Sequence, residues 1–177
     1  TSIAADGVAA STITVQLKDA NSNNLTSGGD TVALATDLGS LGSVTDNSDG
    51  SYTATLTSGT TTGTATITGT VNAVASTDPA PVTLIPGAAD ATTSLITAAP
   101  TSIVADGVAT STITVQLKDV NNNNLTSGGD TVALATDLGS MGSVTDNSNG
   151  TYTATLTSAT TVGTATITGT VNAVAIT

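Results

Sequence analysis

Asp19, Asn21, Asn23 and Asp30 stand at the first, third, fifth and twelfth positions of one frame, and Asp119, Asn121, Asn123 and Asp130 repeat it one hundred positions later. Oxygen donors at that spacing are the ligand set of an EF-hand-type loop, so calcium is the ion such residues would hold, and no other cofactor is indicated. Two features count against it. The sixth position, where the sharp turn needs Gly, is Asn24 or Asn124, and the last ligand is Asp rather than the longer Glu. Those mismatches favour a solvated loop whose Asp and Asn side chains bond their own backbone. A second acidic grouping would form if Asp6 or Asp106, each in an Ala-Asp-Gly turn, met Asp78 or Asp90 near the junction of the two copies.

Other chemistry has little to build on. The sequence holds no His, Cys, Glu or Arg, so the usual general bases, nucleophiles and their activators are missing and no enzyme is expected. Lys18 and Lys118 are its two basic residues. An isopeptide bond from such a Lys to Asn72 or Asp46 needs the Lys in the core, whereas alternation puts it opposite Ile13, Val15 and Leu17, on the solvent face. Thr53, Thr55 and Thr57, and Thr64, Thr66, Thr68 and Thr70, form outward ladders that would suit an ice-facing or glycan-bearing surface. Thr is also what an exposed strand position prefers.

The elements that must position these residues are strands. In STITVQLKD the apolar residues alternate with polar ones, the period of a half-buried strand, and the pattern returns in DTVALAT, in the run from Tyr152 to Thr157, and in GTATITGTV. Asn121 to Gly129 reads as a loop between two strands, Asn149-Gly150 as a hairpin turn, and Ser143-Val144-Thr145 as a brief strand. Tyr152, Ala154 and Leu156 should point inward, as should Ala165, Ile167, Gly169 and Val171 on the next strand, which this reading pairs antiparallel with the Tyr152 strand. Thr92 to Ala98 and Val82 to Ile85 are further strands, and Ser102 to Val104 is a candidate to continue in the other sheet. The expected core is Ile113, Val115, Leu117, Val132, Leu134, Tyr152, Leu156, Ile167 and Val171, with the residues one hundred positions earlier in the other copy.

The repeat sets the domain count. Residues 1–77 align with 101–177 with ten differences, and a period near one hundred fits separate sandwich domains rather than a solenoid. We place the domains at residues 1–87 and 88–177. The first copy lacks the residues equivalent to Asp90–Pro100 and the second those equivalent to Asp78–Ile85, so each is expected to be one strand short. A formal charge of −11 excludes nucleic acid, whose phosphates need clustered Lys and Arg, and disfavours direct contact with an anionic membrane.

The order Ala-Asp-Gly, STITVQLKDANSNNL, GGDTVALATDLGSLGSVTDNSDGSYTATLTS and GTATITGTV resembles the bacterial immunoglobulin-like tandem repeats of the intimin and invasin adhesins. The likeness covers almost all of both copies, and Ala-Asp-Gly followed by TITVQLKD is its most specific part. DNSDGSYTATLTS is also similar to the Asp-Gly-x-Tyr passage of filamin-type repeats, which implies a tyrosine corner at Tyr52 and Tyr152. The resemblance implies two immunoglobulin-like antiparallel β-sandwiches arranged end to end, as stalk or spacer repeats on the outside of a bacterial cell. Neighbouring repeats of the same protein would be the partners. Two alternatives stand beside this: a filament protomer that self-assembles by strand addition, and a carbohydrate- or protein-binding module, which the lack of an aromatic platform disfavours.

Overall fold

The computed structural model describes residues 1–76 and 78–177, and the chain forms two compact units, Thr1–Ile85 and Pro86–Thr177. Among the described residues every regular element is a strand. Those of the first unit are β1 (Ser2–Ala4), β2 (Ala10–Gln16), β3 (Val32–Thr36), β4 (Ser40–Leu41), β5 (Thr45–Asp46), β6 (Ser51–Thr57), β7 (Gly63–Val71), β8 (Val74–Ala75) and β9 (Ala80–Ile85). One sheet runs β1-β9-β7-β3 with β8 beside β7, and the other runs β2-β6-β4 with β5 beside β6. All pairs are antiparallel except β1 with β9, which is parallel.

The second unit contains β10 (Ala89–Ala99), β11 (Thr110–Asp119), β12 (Val132–Thr136), β13 (Ser140–Met141), β14 (Thr145–Asp146), β15 (Thr151–Thr157), β16 (Ile167–Val171) and β17 (Val174–Ala175). Its sheets are β10-β11-β15-β13, with β14 beside β15, and β12-β16-β17. The expected alternation holds on β6 and β15, where Tyr52, Ala54, Leu56, Tyr152, Ala154 and Leu156 are buried. Leu38 and Leu41 pack against the first core from the loop between β3 and β4 and from β4 itself.

Three expectations are corrected. β6 and β7 are not neighbours: both edges of β6 are taken, by β2 on one side and by β4 and β5 on the other, so the chain crosses to the opposite sheet. The same holds for β15 and β16. The short strand expected at Ser143–Thr145 begins at Thr145 instead, which leaves Val144 to pack into the core. Ser102–Val104 forms no strand, although the equivalent Ser2–Ala4 does, because β1 exists by pairing with β9 and no strand lies beside Ser102–Val104 among the described residues.

That last point generalises. β9 pairs with Gly63–Ile67, so β7 runs for nine residues where β16 runs for five. It also covers Ala5, Ala65 and Ile67, which are buried, while Ala105, Ala165 and Ile167 are half-buried. β10 does the converse for the second unit. Val115, Leu117, Leu125 and Val171 are buried there, whereas Val15, Leu25 and Val71 are half-buried in the first unit.

Equal substitutions one hundred positions apart should therefore have unequal effects. Ile67→Ala removes a side chain with 3% exposure and should destabilise its unit by about 2–5 kcal/mol, with a smaller loss for Ile167→Ala. For Val15→Ala and Val115→Ala the order reverses between the units. Hydrogen exchange of the amides in β6 and β15 reads each unit separately; equal losses within a pair would show that β9 and β10 do not control core burial.

Candidate functional site

Asp19 and Asp119 close the Asn-rich loops after β2 and β11. The Asp19 carboxylate accepts the backbone N–H groups of Asn21 and Asn23 at 2.8 and 2.9 Å and the Asn23 side-chain amide at 3.0 Å. Main-chain bonds from Asp19 N–H to Asn23 and from Ser22 N–H to Asp19 tighten the same turn, with Ser22 at φ 67°. Asp119 repeats the arrangement with Asn121 and Asn123. These bonds hold the Asp19 carboxyl below its ordinary range, the Asn23 side chain contributing most.

The fourth member of each frame lies in a different network. Asp30 N–H donates to the Tyr52 hydroxyl at 2.9 Å, and the Asp30 carboxylate accepts from the Asn72 side-chain amide at 2.7 Å. The Asn72 carbonyl oxygen in turn accepts Thr31 N–H at 3.0 Å. Beside it, Asp46 takes Gly29 N–H at 2.8 Å and fills the space where a Cβ on Gly28 would stand, so only glycine fits there. Asp130, Tyr152, Asn172, Asp146 and Gly128 reproduce every one of these contacts. The structure thus brings Asp19, Asn21 and Asn23 together, and likewise Asp119, Asn121 and Asn123, while Asp30 and Asp130 clamp loops at Tyr52 and Tyr152. Among the described residues no three Asp side chains converge as a metal site would require.

The remaining acidic residues act in the same way. Asp6 accepts Val8 and Ala9 N–H groups and the buried Ser58 hydroxyl, and Asp106 accepts the equivalent Val108 and Ala109 groups. Asp90 accepts from the N–H and hydroxyl of Thr92, and Asp37 from Thr66 N–H at 2.6 Å. Lys118 donates to the Asn122 side chain at 2.9 Å, and Lys18 is exposed, both consistent with surface lysines. Asn72 and Asp46, the residues considered for a covalent bond, are held by the loop contacts above.

One carboxylate stands apart. Asp119 has 1% exposure where Asp19 is exposed, because its Oδ2 also accepts Gly87 N–H at 2.9 Å from the segment leading into β10. Burial alone would raise its pKa. The bonds from Asn123, Gly87 and Asn121 outweigh burial and hold it below the ordinary value. Sequence reasoning missed this contact and the Asp30–Asn72 clamp, since both join residues far apart in the chain. The one available signal was the recurrence of Asn72 and Asn172 within an otherwise apolar TVNAVA run.

Comparison with known proteins places this geometry in a family. The family model described as invasin, domain 3, matches residues 1–87 and again 90–177. The chain is 36% identical to the crystal structure of invasin, a bacterial integrin-binding protein, with a TM-score of 0.72 over 99% of this chain and 36% of that one. It is 35% identical to Yersinia pseudotuberculosis InvD, with a TM-score of 0.69 over 99% of this chain and 52% of that one. The Escherichia coli adhesin FdeC matches at 26% identity and a TM-score of 0.61, over 99% of this chain and 60% of that one. The chain therefore spans less than two thirds of the length of each of these structures.

Two outcomes follow from the site geometry. Tyr52→Phe or Tyr152→Phe removes the acceptor of a loop N–H and should cost about 1 kcal/mol in chemical denaturation, and an unchanged midpoint would show that the hydroxyl does not hold the loop. The pH profile should be one-sided. Asp6, Asp19, Asp37, Asp49, Asp90, Asp106, Asp119 and Asp137 have pKa values lowered by folding, so their contribution is present above the unfolded value of about 3.9. It is lost as pH falls through the folded values. With no His or Cys, the melting temperature should be level from about pH 5 to 9 and fall below about pH 4. A melting temperature that rises on acidification would mean that relief of the −11 charge dominates instead.

Proposed function

Since this chain belongs to the invasin domain 3 family through both of its repeats, we propose that it supplies spacer repeats to a bacterial surface adhesin, outside the cell. The observation that carries this reading is the internal use of the polar groups. Asp6, Asp19, Asp30 and Asp46, with their counterparts, bond loops of their own unit, and the same contacts recur in both copies. A module that recognises a ligand presents convergent groups to the outside, typically with aromatic or Arg anchors, and this sequence offers two Tyr, both buried. A module that carries something else needs only a stable sandwich with well-defined ends. The reading includes no catalytic role and assigns no cofactor.

The test is insertion and removal in a displayed adhesin. Placed between an outer-membrane anchor and an epitope tag on a bacterial surface, the chain should raise antibody access to the tag, and an unrelated pair of sandwich domains of similar length should do the same. The purified chain should show no saturable binding to epithelial cells. Saturable binding, or loss of tag access on replacement by the unrelated pair, would mean a recognition module rather than a spacer.

A further inference from the structure

We propose that Asn149 is a self-modifying site: its side-chain amide is lost as ammonia by cyclisation onto the backbone nitrogen of Gly150, and two donors from Thr151 promote the step. The first unit has Asp49-Gly50 at the same place, so the two copies show one loop with the amide and with the acid. The fold itself demands the glycine. Gly150 is buried at φ 81°, its carbonyl accepts Leu117 N–H at 3.0 Å and the Gln116 side-chain amide at 3.2 Å, and a Cβ there would run into the Leu125 carbonyl oxygen. A residue without a side chain also gives its nitrogen the least hindered approach to the preceding Cγ.

Position 149 needs only an acceptor. Asn149 is exposed, and its Oδ1 takes the Thr151 N–H at 3.0 Å and the Thr151 hydroxyl at 2.6 Å. Asn147 Nδ2 donates to that hydroxyl oxygen at 3.0 Å, which leaves the hydroxyl proton for Asn149. Bonds linked in such a chain polarise one another. Both contacts of Asn149 are made by Oδ1, so loss of the NH2 group breaks no hydrogen bond among the described residues. Attack by the Gly150 nitrogen forms the N–Cγ bond and moves charge onto Oδ1, where the Thr151 N–H and O–H already point, as the donors of an oxyanion hole do. The Gly150 amide proton goes to solvent, the Cγ–Nδ2 bond breaks, and the nitrogen takes a proton from water and leaves as ammonia. Water then opens the cyclic imide, and one negative charge is added to the −11.

The imide can open on either side. Opening at Cγ leaves an aspartate at position 149, and the first unit shows how that residue sits: Asp49 accepts Ser51 N–H at 2.9 Å and the Ser51 hydroxyl at 2.6 Å, the same two contacts. Opening at the main-chain carbonyl gives isoaspartate, with an extra carbon in the backbone. That would pull Gly150 away from Leu125 and from the Leu117 N–H. The folded loop therefore favours aspartate. This modification stands or falls separately from the spacer reading, since it concerns one loop of the second unit.

The test incubates the full 177-residue chain in mildly alkaline buffer, folded or in concentrated urea, and follows the fragment Thr145–Thr157 by mass spectrometry. Its sequence differs from that of residues 45–57, so the copies are told apart. The readout is a gain of about 1 Da, assigned by fragmentation to Asn149 rather than Asn147. The folded chain should gain it faster than the chain in urea, with aspartate in excess of isoaspartate. Thr151→Val removes the hydroxyl donor and should slow the folded reaction about tenfold or more, with little effect in urea. Thr151→Ser, the residue of the first copy, should keep the folded rate within about twofold. A folded chain slower than the unfolded one, or equal folded rates for Thr151→Val and the unaltered chain, would overturn the proposal. An excess of isoaspartate in the folded chain would overturn the assigned product. If Thr151→Val does not fold, the comparison of the unaltered chain folded and in urea decides by itself.

Discussion

Closure of a mostly aliphatic core by β9 in one unit and β10 in the other is the constraint on which the rest of each unit depends. With no Phe or Trp and one buried Tyr per repeat, the rest of each core is built from Val, Ile, Leu and Ala. Val15, Val71, Ala165 and Ile167 are only half-buried where the strand that covers their counterparts is missing. The two units make this visible because they differ in ten aligned positions yet differ widely in exposure. Where β9 is present, Ala5, Ala65 and Ile67 are sealed and β1 exists; where β10 is present, Val115 and Val171 are sealed and even Asp119 is taken out of water.

The loops answer a second constraint, which is that a chain with thirteen Asp and two basic residues cannot order its connections by ion pairs. It uses carboxylates as hydrogen-bond acceptors for nearby backbone instead. Asp6, Asp19, Asp46, Asp49 and Asp90 each accept the N–H of a residue two positions on or of a neighbouring loop, the geometry of an Asx-turn. A charged acceptor makes a stronger bond than a neutral one, which suits short loops with few apolar contacts. The acidity of the sequence and the order of its loops thus have one cause.

Both devices act within a single unit. The loops take their shape from hydrogen bonds to side chains of the same unit. In the second unit Gly87 and Asp90 are part of the core's closure, through Asp119 and through pairing with Lys118, so the segment leading into β10 is structural rather than passive.

Most of the architecture was legible in the sequence. Alternation in STITVQLKD and in the Tyr152 strand gave the inward faces of Ile113, Val115, Leu117, Tyr152 and Leu156, because a period of two leaves one register for a half-buried strand. The one-hundred-residue repeat gave two units, and the motif order gave the family. The loop chemistry was half legible: the turn around Asp19 is local, so its residues announce it, whereas the clamp of Asp30 by Asn72 and Tyr52 spans about forty positions and is set only when the sheets meet. Strand partnership was decided by tertiary structure alone. β6 and β7 are consecutive and both alternate, yet they lie in opposite sheets because β2, β4 and β5 occupy both edges of β6. Whether Ser2–Ala4 and Ser102–Val104 become strands, and whether Asp19 and Asp119 are wet or buried, was likewise beyond the sequence. Those residues are the same in kind in both copies, and only the presence or absence of a neighbouring strand separates them.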